Sequence, residues 1–198
     1  GLLIGGTFLM IMTSFYFSIG GILALGLYGI YRYARTKERA EETVTVKGFM
    51  GDGIQFAGRI LTAIMLAGVL LVPTAMALLG RSRSRGEKVN FLQLLIPQIN
   101  LKKFLYGAYG PGLSCLVLII LLTGLFYKKA YEKILSLGCL VVLTVPFFSY
   151  LLNGALYIRP KSLIPFLPLL CYLTAKYLEK LKNQKIARIW MLLPCLMV

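Results

Sequence analysis

The segment Asn153–Leu170, N-G-A-L-Y-I-R-P-K-S-L-I-P-F-L-P-L-L, decides how the rest of the chain is read. Long apolar runs flank it on both sides, so it reads as the polar break between two membrane crossings. Four of its residues carry chemistry: Asn153, Tyr157, Arg159 and Lys161. Prolines stand at 160, 165 and 168. Pro160 keeps Arg159 extended. Ser162 is placed to cap a helix that starts near Leu163, where Pro165 in the first turn costs no hydrogen bond. Pro168, one turn deeper, predicts a bend. The start of such a helix carries partial positive charge and unpaired N–H groups, with two cations just before it, and so suits a phosphate or another anion. The competing reading makes Arg159 and Lys161 interface anchors that snorkel to lipid headgroups.

Composition puts the break in a membrane protein. Of 198 residues, 58% are hydrophobic and only 15% charged, and the mean hydropathy is +0.78. A soluble domain carries nearer a quarter of charged residues. Several apolar runs approach the ~20 residues that span a bilayer as helix. The expected fold is all-α, a polytopic transmembrane helix bundle in the cell membrane. The chain begins at Gly1, and Val198 falls inside the apolar run Trp190–Val198. It is therefore expected to be a piece of a larger protein whose other transmembrane helices are its partners.

The net charge of +15, from 22 Lys and Arg against 7 acids, falls almost entirely between the apolar runs. Anionic lipid headgroups account for that placement better than nucleic acid does. Cys115, Cys139, Cys171 and Cys195 lie in apolar segments without metal-type spacing and read as small buried side chains. There is no histidine, which removes the commonest acid–base group and metal ligand. No cofactor or metal is implied.

The predicted spans are 2–12 (a truncated helix), 15–33, 57–79, 112–127, 134–152, 162–178 and the beginning of another at 190–198. The first two are parted by an interfacial turn at Thr13-Ser14 before the aromatic run Phe15-Tyr16-Phe17. Residues 32–59 read as a loop. Its glycines in K-G-F-M-G-D-G (47–53) fit a flexible connector better than a phosphate turn, since no strand precedes and no Gly-Lys-Ser/Thr follows. Pro73 predicts a kink within the span 57–79, and the span 134–152 contains Pro146. The piece 91–106, divided by Pro97, is too polar to span and reads as a pair of short helices, with Asn90 and Asn100 as caps, lying in the interface. Packing against the bundle is its alternative. Y-G-A-Y-G-P-G (106–112) is a tight turn into the next span.

Loop charge predicts orientation. Loops after the first, third and fifth full spans carry 14 basic residues against 8 in the other two, so the first set is expected in the cytoplasm. The 91–106 piece and the Asn153–Lys161 break then share the outer face. None of Glu38, Glu41, Glu42, Asp52, Glu87, Glu132 and Glu179 lies within a predicted span, which argues against a proton relay or a carboxylate-lined cation path. Only Glu87 is expected outside, so two cooperating carboxylates are not available there. The outer face offers instead arginines, lysines and tyrosines, groups that suit a sugar or a lipid-linked phosphate at the membrane surface.

Several blocks carry a likeness: S-F-Y-F-S-I before a span, L-V-P-T-A-M-A-L-L after it, Y-G-A-Y-G-P-G-L-S, and above all N-G-A-L-Y-I-R-P-K-S-L-I-P-F-L-P-L-L. Over most of residues 13–180 the chain resembles the C-terminal part of the membrane-helix region in the bacterial YfhO membrane-protein family. Members look like GT-C glycosyltransferases, which move a sugar from a polyprenyl-phosphate carrier to an acceptor outside the cell; lipoteichoic acid is the acceptor associated with this family. The resemblance implies that the catalytic acid belongs to a first outer loop that this chain lacks, so no catalytic residue is carried over. Asn153, Tyr157, Arg159 and Lys161 match the family block and are the expected substrate-binding residues. Two other classes compete: a non-catalytic transporter or flippase for a lipid-linked glycan, and a structural membrane module.

Overall fold

The computed structural model describes residues 1–41, 43, 45–79, 91–98, 115–127, 129–153, 158 and 160–183. These form an all-α structure in two compact units, Gly1–Glu87 and Lys88–Val198.

In the first unit, α1 (Leu2–Thr13) and α2 (Phe15–Arg39) are parted at Ser14, where the sequence predicts a turn. The cause is local. Thr13 Oγ1 donates back to the Leu9 and Met10 carbonyls at 2.8 and 3.0 Å, and Ser14 turns extended so that its Oγ accepts the Phe17 N–H at 3.4 Å. α2 buries Ser18, Gly20, Gly21 and Ala24. Small side chains let α1 come close, and the Met10 sulfur fills the space that a Cβ on Gly21 would need.

α2 continues to Arg39, beyond the predicted end at 33, and closes with Lys37 and Arg39 in a last turn where cations suit the helix dipole. The predicted loop 32–59 is correspondingly short. Helix α3 (Val46–Leu66) already covers Gly48, Gly51 and Gly53, so that stretch is neither connector nor phosphate turn. Each of these glycines costs about 1 kcal/mol of helix propensity. Tertiary contact offsets it: Tyr33 and Phe49 meet edge to face at 5.3 Å, and the Tyr33 hydroxyl lies 3.4 Å from the Cβ position of Gly48. The break before α4 (Gly68–Leu79) falls at Ala67, with the axes bent by 70° between Val46–Leu66 and Gly68–Ala77. Pro73 lies inside α4 and does not set that bend.

The second unit comprises α5 (Phe91–Leu95), α6 (Cys115–Gly124), α7 (Ala130–Thr144), α8 (Pro146–Leu152), a 3-10 turn (Pro160–Phe166) and α9 (Leu167–Lys182). α6 packs on α7 and α9, and α8 packs on α5, α7 and the 3-10 turn. Their shared core includes Ile120, Leu121, Leu135, Leu163, Phe166 and Leu170. At the end of α6, Gly124 lies so close to Ser136 that a Cβ would overlap its hydroxyl and Cβ. Cys139 is buried as expected, whereas Cys171 is exposed on α9.

The predicted span 134–152 is thus two helices bent by 75° about Val145. Pro146 has no N–H to continue the ladder and instead starts α8, where a missing N–H costs nothing. Among the described residues no single helix is long and apolar enough to cross a membrane; the two bent pairs α3–α4 and α7–α8 pass that test together, by length and composition. The sequence predicted straight or gently kinked spans there, and the structure places sharp corners at Ala67 and Val145. Predicted elements at 99–106, 106–112 and 190–198, and the caps Asn90 and Asn100, lie outside the described residues.

The core is mostly apolar, but it also encloses small polar side chains, and large apolar ones remain exposed. Thr7, Ser18, Thr123, Ser136, Thr144, Ser149, Asn153 and Ser162 are buried, while Val69 is 85% exposed and Met76 70%. Threonines at 123, 144 and 174 return their hydroxyls to the carbonyl four residues earlier, which satisfies them within their own helix.

Candidate functional site

The break that opened the sequence reading is built from the corner at Val145 onward. α7 ends with Val145 extended (φ −88, ψ 113), which leaves carbonyls at its C-terminal end without intrahelical donors. One of these, Thr144 O, accepts the Gln98 N–H at 2.8 Å. The segment after α5 therefore docks on the corner of the second bent pair, as the packing alternative for 91–106 expects for its first half. Pro97, next to Gln98, stops α5 from continuing through it.

α8 then runs for two turns and stops at Asn153. That residue is 4% exposed, and its amide nitrogen Nδ2 donates to Ser149 O at 2.5 Å and to Ser162 Oγ at 3.3 Å. Its own N–H reaches Ser149 O and Tyr150 O, both at 3.2 Å. Asn153 thus binds the end of α8 to the 3-10 turn on the far side of the break. A buried amide with those contacts contributes about 1–2 kcal/mol net, and more is lost when one partner is removed.

Ser162 is where the sequence reading needs correction. It caps no helix: it sits within the 3-10 turn, its hydroxyl accepts Asn153, and α9 begins only at Leu167 after Phe166, without a side-chain cap. A 3-10 turn satisfies each N–H from the carbonyl three residues before. The N–H groups of Leu163, Ile164 and Phe166 are therefore not the open cradle that a helix starting at Leu163 would present, and Pro165 has none. Any anion held here relies on side chains. Pro168 falls in the first turn of α9 and starts that helix; it does not bend it. The 3-10 form arises because residues three apart eclipse, which drives Leu163 and Phe166 together into the core, at 1% and 0% exposure.

Of the four residues singled out in sequence, Asn153 and Lys161 are described. Asn153 is buried at the join and Lys161 is half-buried one residue before Ser162. Tyr157 and Arg159 lie outside the described residues. Among the described residues no group of three or more His, Cys, Asp or Glu could hold a metal ion.

A second polar cluster sits at the other end of α7, about 20 Å away at 1.5 Å per residue. Sequence reasoning treated its parts as two separate basic loops, 128–133 and 176–188. Lys180 on α9 makes an ion pair with Glu132 on α7 at 2.5 Å, and its ammonium lies 3.5 Å from the centre of the Tyr127 ring. Lys176 lies 5.3 Å from the Tyr172 ring and 6.0 Å from that of Tyr131; Lys129 lies 5.6 Å from the same Tyr131 ring. Tyr127 stands past the end of α6. The spacing Tyr172, Lys176, Lys180 marks one helical face and was legible in sequence. Its partner on α7 was not.

Comparison with family models, with curated proteins and with solved structures yields no match to this chain.

Proposed function

We propose that the chain is part of a multi-pass membrane glycosyltransferase that moves a sugar from a polyprenyl-phosphate carrier to an extracytoplasmic cell-envelope acceptor such as lipoteichoic acid. The resemblance over residues 13–180 supplies the activity. The observation that carries the reading is the corner-and-break assembly: a bent apolar pair, α7–α8, ends in a buried Asn153–Ser162 join beside a cation, Lys161. Non-helical backbone at membrane depth or at its edge is tolerated where protein satisfies it, and such breaks are where membrane proteins place binding groups.

In this reading Asn153 holds the break, while Tyr157, Arg159 and Lys161 meet the substrate. Arginine and lysine would bind the carrier phosphate through charge-assisted hydrogen bonds, and tyrosine would stack on or hydrogen-bond the sugar. These groups position; the bond-breaking acid is supplied from elsewhere in the parent protein. Exposed Val69, Val72 and Met76 on α4 support a lipid surround, since they have no cost in hydrocarbon and a substantial one in water.

The test is sugar transfer by the parent protein in native-like membranes. Arg159→Ala/Lys161→Ala is expected to insert normally and to transfer labelled sugar from the polyprenyl-phosphate carrier at least about tenfold more slowly, the loss of two charge-assisted contacts. Wild-type transfer by that variant would reject the site.

A further inference from the structure

The outward side of α3 is explained neither by the packing of the first unit nor by the proposed transfer. Successive residues of an α-helix lie about 100° apart, so spacings of three and four gather them into stripes. Three stripes run along α3. In the first, Ile60, Ala63 and Ala67 are buried, and Phe56 in line with them rests against Gly29 of α2, its ring 3.6 Å from where a Cβ would stand. Met50, Ile54, Ala57, Leu61 and Met65 make the second, exposed throughout and reaching 73% at Met65. Asp52, Gln55, Arg59 and Thr62 make the third, which is exposed as well. The three are centred about a third of the circumference apart.

Each stripe calls for a different surround, and each runs lengthwise. Protein covers the first. The polar stripe extends from Asp52 to Thr62, about 15 Å at 1.5 Å per residue, with the apolar one beside it. A helix standing across a bilayer meets water only at its ends, so it would drag Asp52 and Arg59 through hydrocarbon at a large cost. In water the apolar stripe would lie bare. A helix lying along the boundary satisfies both stripes. What covers the apolar stripe follows from α4. Past the corner at Ala67, α4 is apolar but for Thr74, whose hydroxyl returns to the Leu70 carbonyl at 2.7 Å. None of its described side chains is buried, and those exposed at 69, 72, 73 and 75–77 spread over about half its circumference. Hydrocarbon covers a surface that wraps around a helix; one docked helix covers a single side.

We propose that α3 lies along the membrane interface, with Met50, Ile54, Leu61 and Met65 on the acyl chains and Asp52 and Arg59 among the headgroups. The 70° corner at Ala67 then turns α4 into the hydrocarbon. Lys47, on the apolar side of the first turn, reaches the headgroups by extending its ammonium upward. The span expected over 57–79 is thereby divided into an in-plane part up to Leu66 and an inserted part from Gly68. This rests on the membrane reading and not on the glycosyltransferase activity.

Nitroxide labels test it on the parent protein, with its native cysteines replaced by Ala, in vesicles of mixed phosphatidylglycerol and phosphatidylcholine. Collisions are measured with oxygen, which concentrates in hydrocarbon, and with a water-soluble nickel chelate. Labels at Ile54→Cys and Leu61→Cys are expected to favour oxygen and to sit within about 3 Å of the same depth, whereas a helix crossing upright would separate them by about 10 Å. Labels at Gln55→Cys and Thr62→Cys are expected to favour the chelate. All four positions are exposed, so the fold accommodates the labels. A depth difference like that of an upright helix would overturn the proposal. So would poor access of both reagents to 54 and 61, the result if a second copy or another protein segment covered the stripe. Chelate access at 54 and 61 overturns it as well, provided a Val72→Cys label stays in hydrocarbon. Chelate access at 72 too would instead overturn the membrane reading on which it rests.

Discussion

Asn153 shows how one buried side chain can join two elements across a break in the chain. Its amide bridges Ser149 on α8 and Ser162 in the 3-10 turn, and it is almost completely enclosed. Replacing it by Ala removes the side-chain donor shared by the Ser149 carbonyl and the Ser162 hydroxyl inside the protein. Asn153→Ala is expected to destabilise the second unit by about 2 kcal/mol, checked by denaturant titration in detergent or by hydrogen exchange at Leu163 and Phe166. Asn153→Asp keeps the shape but loses the donor, and it should be no better. In sequence Asn153 was indistinguishable from Tyr157, Arg159 and Lys161 as a polar residue of the break. The structure adds that Asn153 is buried whereas Lys161 is half-buried.

At the scale of elements, the corners matter more than the helices. Proline told where α8 begins, because a residue without an N–H cannot continue α7, and Pro146 stands where the ladder stops. At Pro73, inside α4, the helix runs on, and the chain turns sharply earlier, at Ala67. Local reading failed at Ser162, where the packing of Leu163 and Phe166 imposes a 3-10 turn on a sequence that reads as a capped helix. Contact between α6 and α7 depends on Gly124, whose missing Cβ makes room for Ser136. Gly124→Ala is expected to cost about 1–3 kcal/mol, because neither backbone can withdraw without opening the core. Adding Ser136→Gly should restore most of that loss, and a thermal-unfolding comparison of the single and double variants reads the coupling.

For the whole molecule, the ion pair between Glu132 and Lys180 brings together the loop after the third predicted span and the loop after the fifth. Loop charge predicts both in the cytoplasm, with Lys161 outside. In a parent protein whose native cysteines are replaced by Ala, Lys133→Cys is expected to react with an impermeant maleimide only from the cytoplasmic side. Lys161→Cys should react only from the outer side. Labelling of both from one side would reject the orientation and with it the outward placing of the break.

The sequence by itself determined that the chain is helical, that its helices are strongly apolar, and that its polar residues gather in a few breaks, because composition and apolar run length act locally and need no partner. It also located the turn at Thr13-Ser14, where side-chain hydroxyls act on the residues next to them. Tertiary structure alone decided the rest. It made the glycine-bearing stretch 46–53 helical through Tyr33 and Phe49, turned Ser162 into an acceptor for Asn153, and joined Lys180 to Glu132 across 48 residues. Those outcomes depend on which side chains meet in space, and helices straight enough to be read from periodicity carry no record of the corners that bring them together.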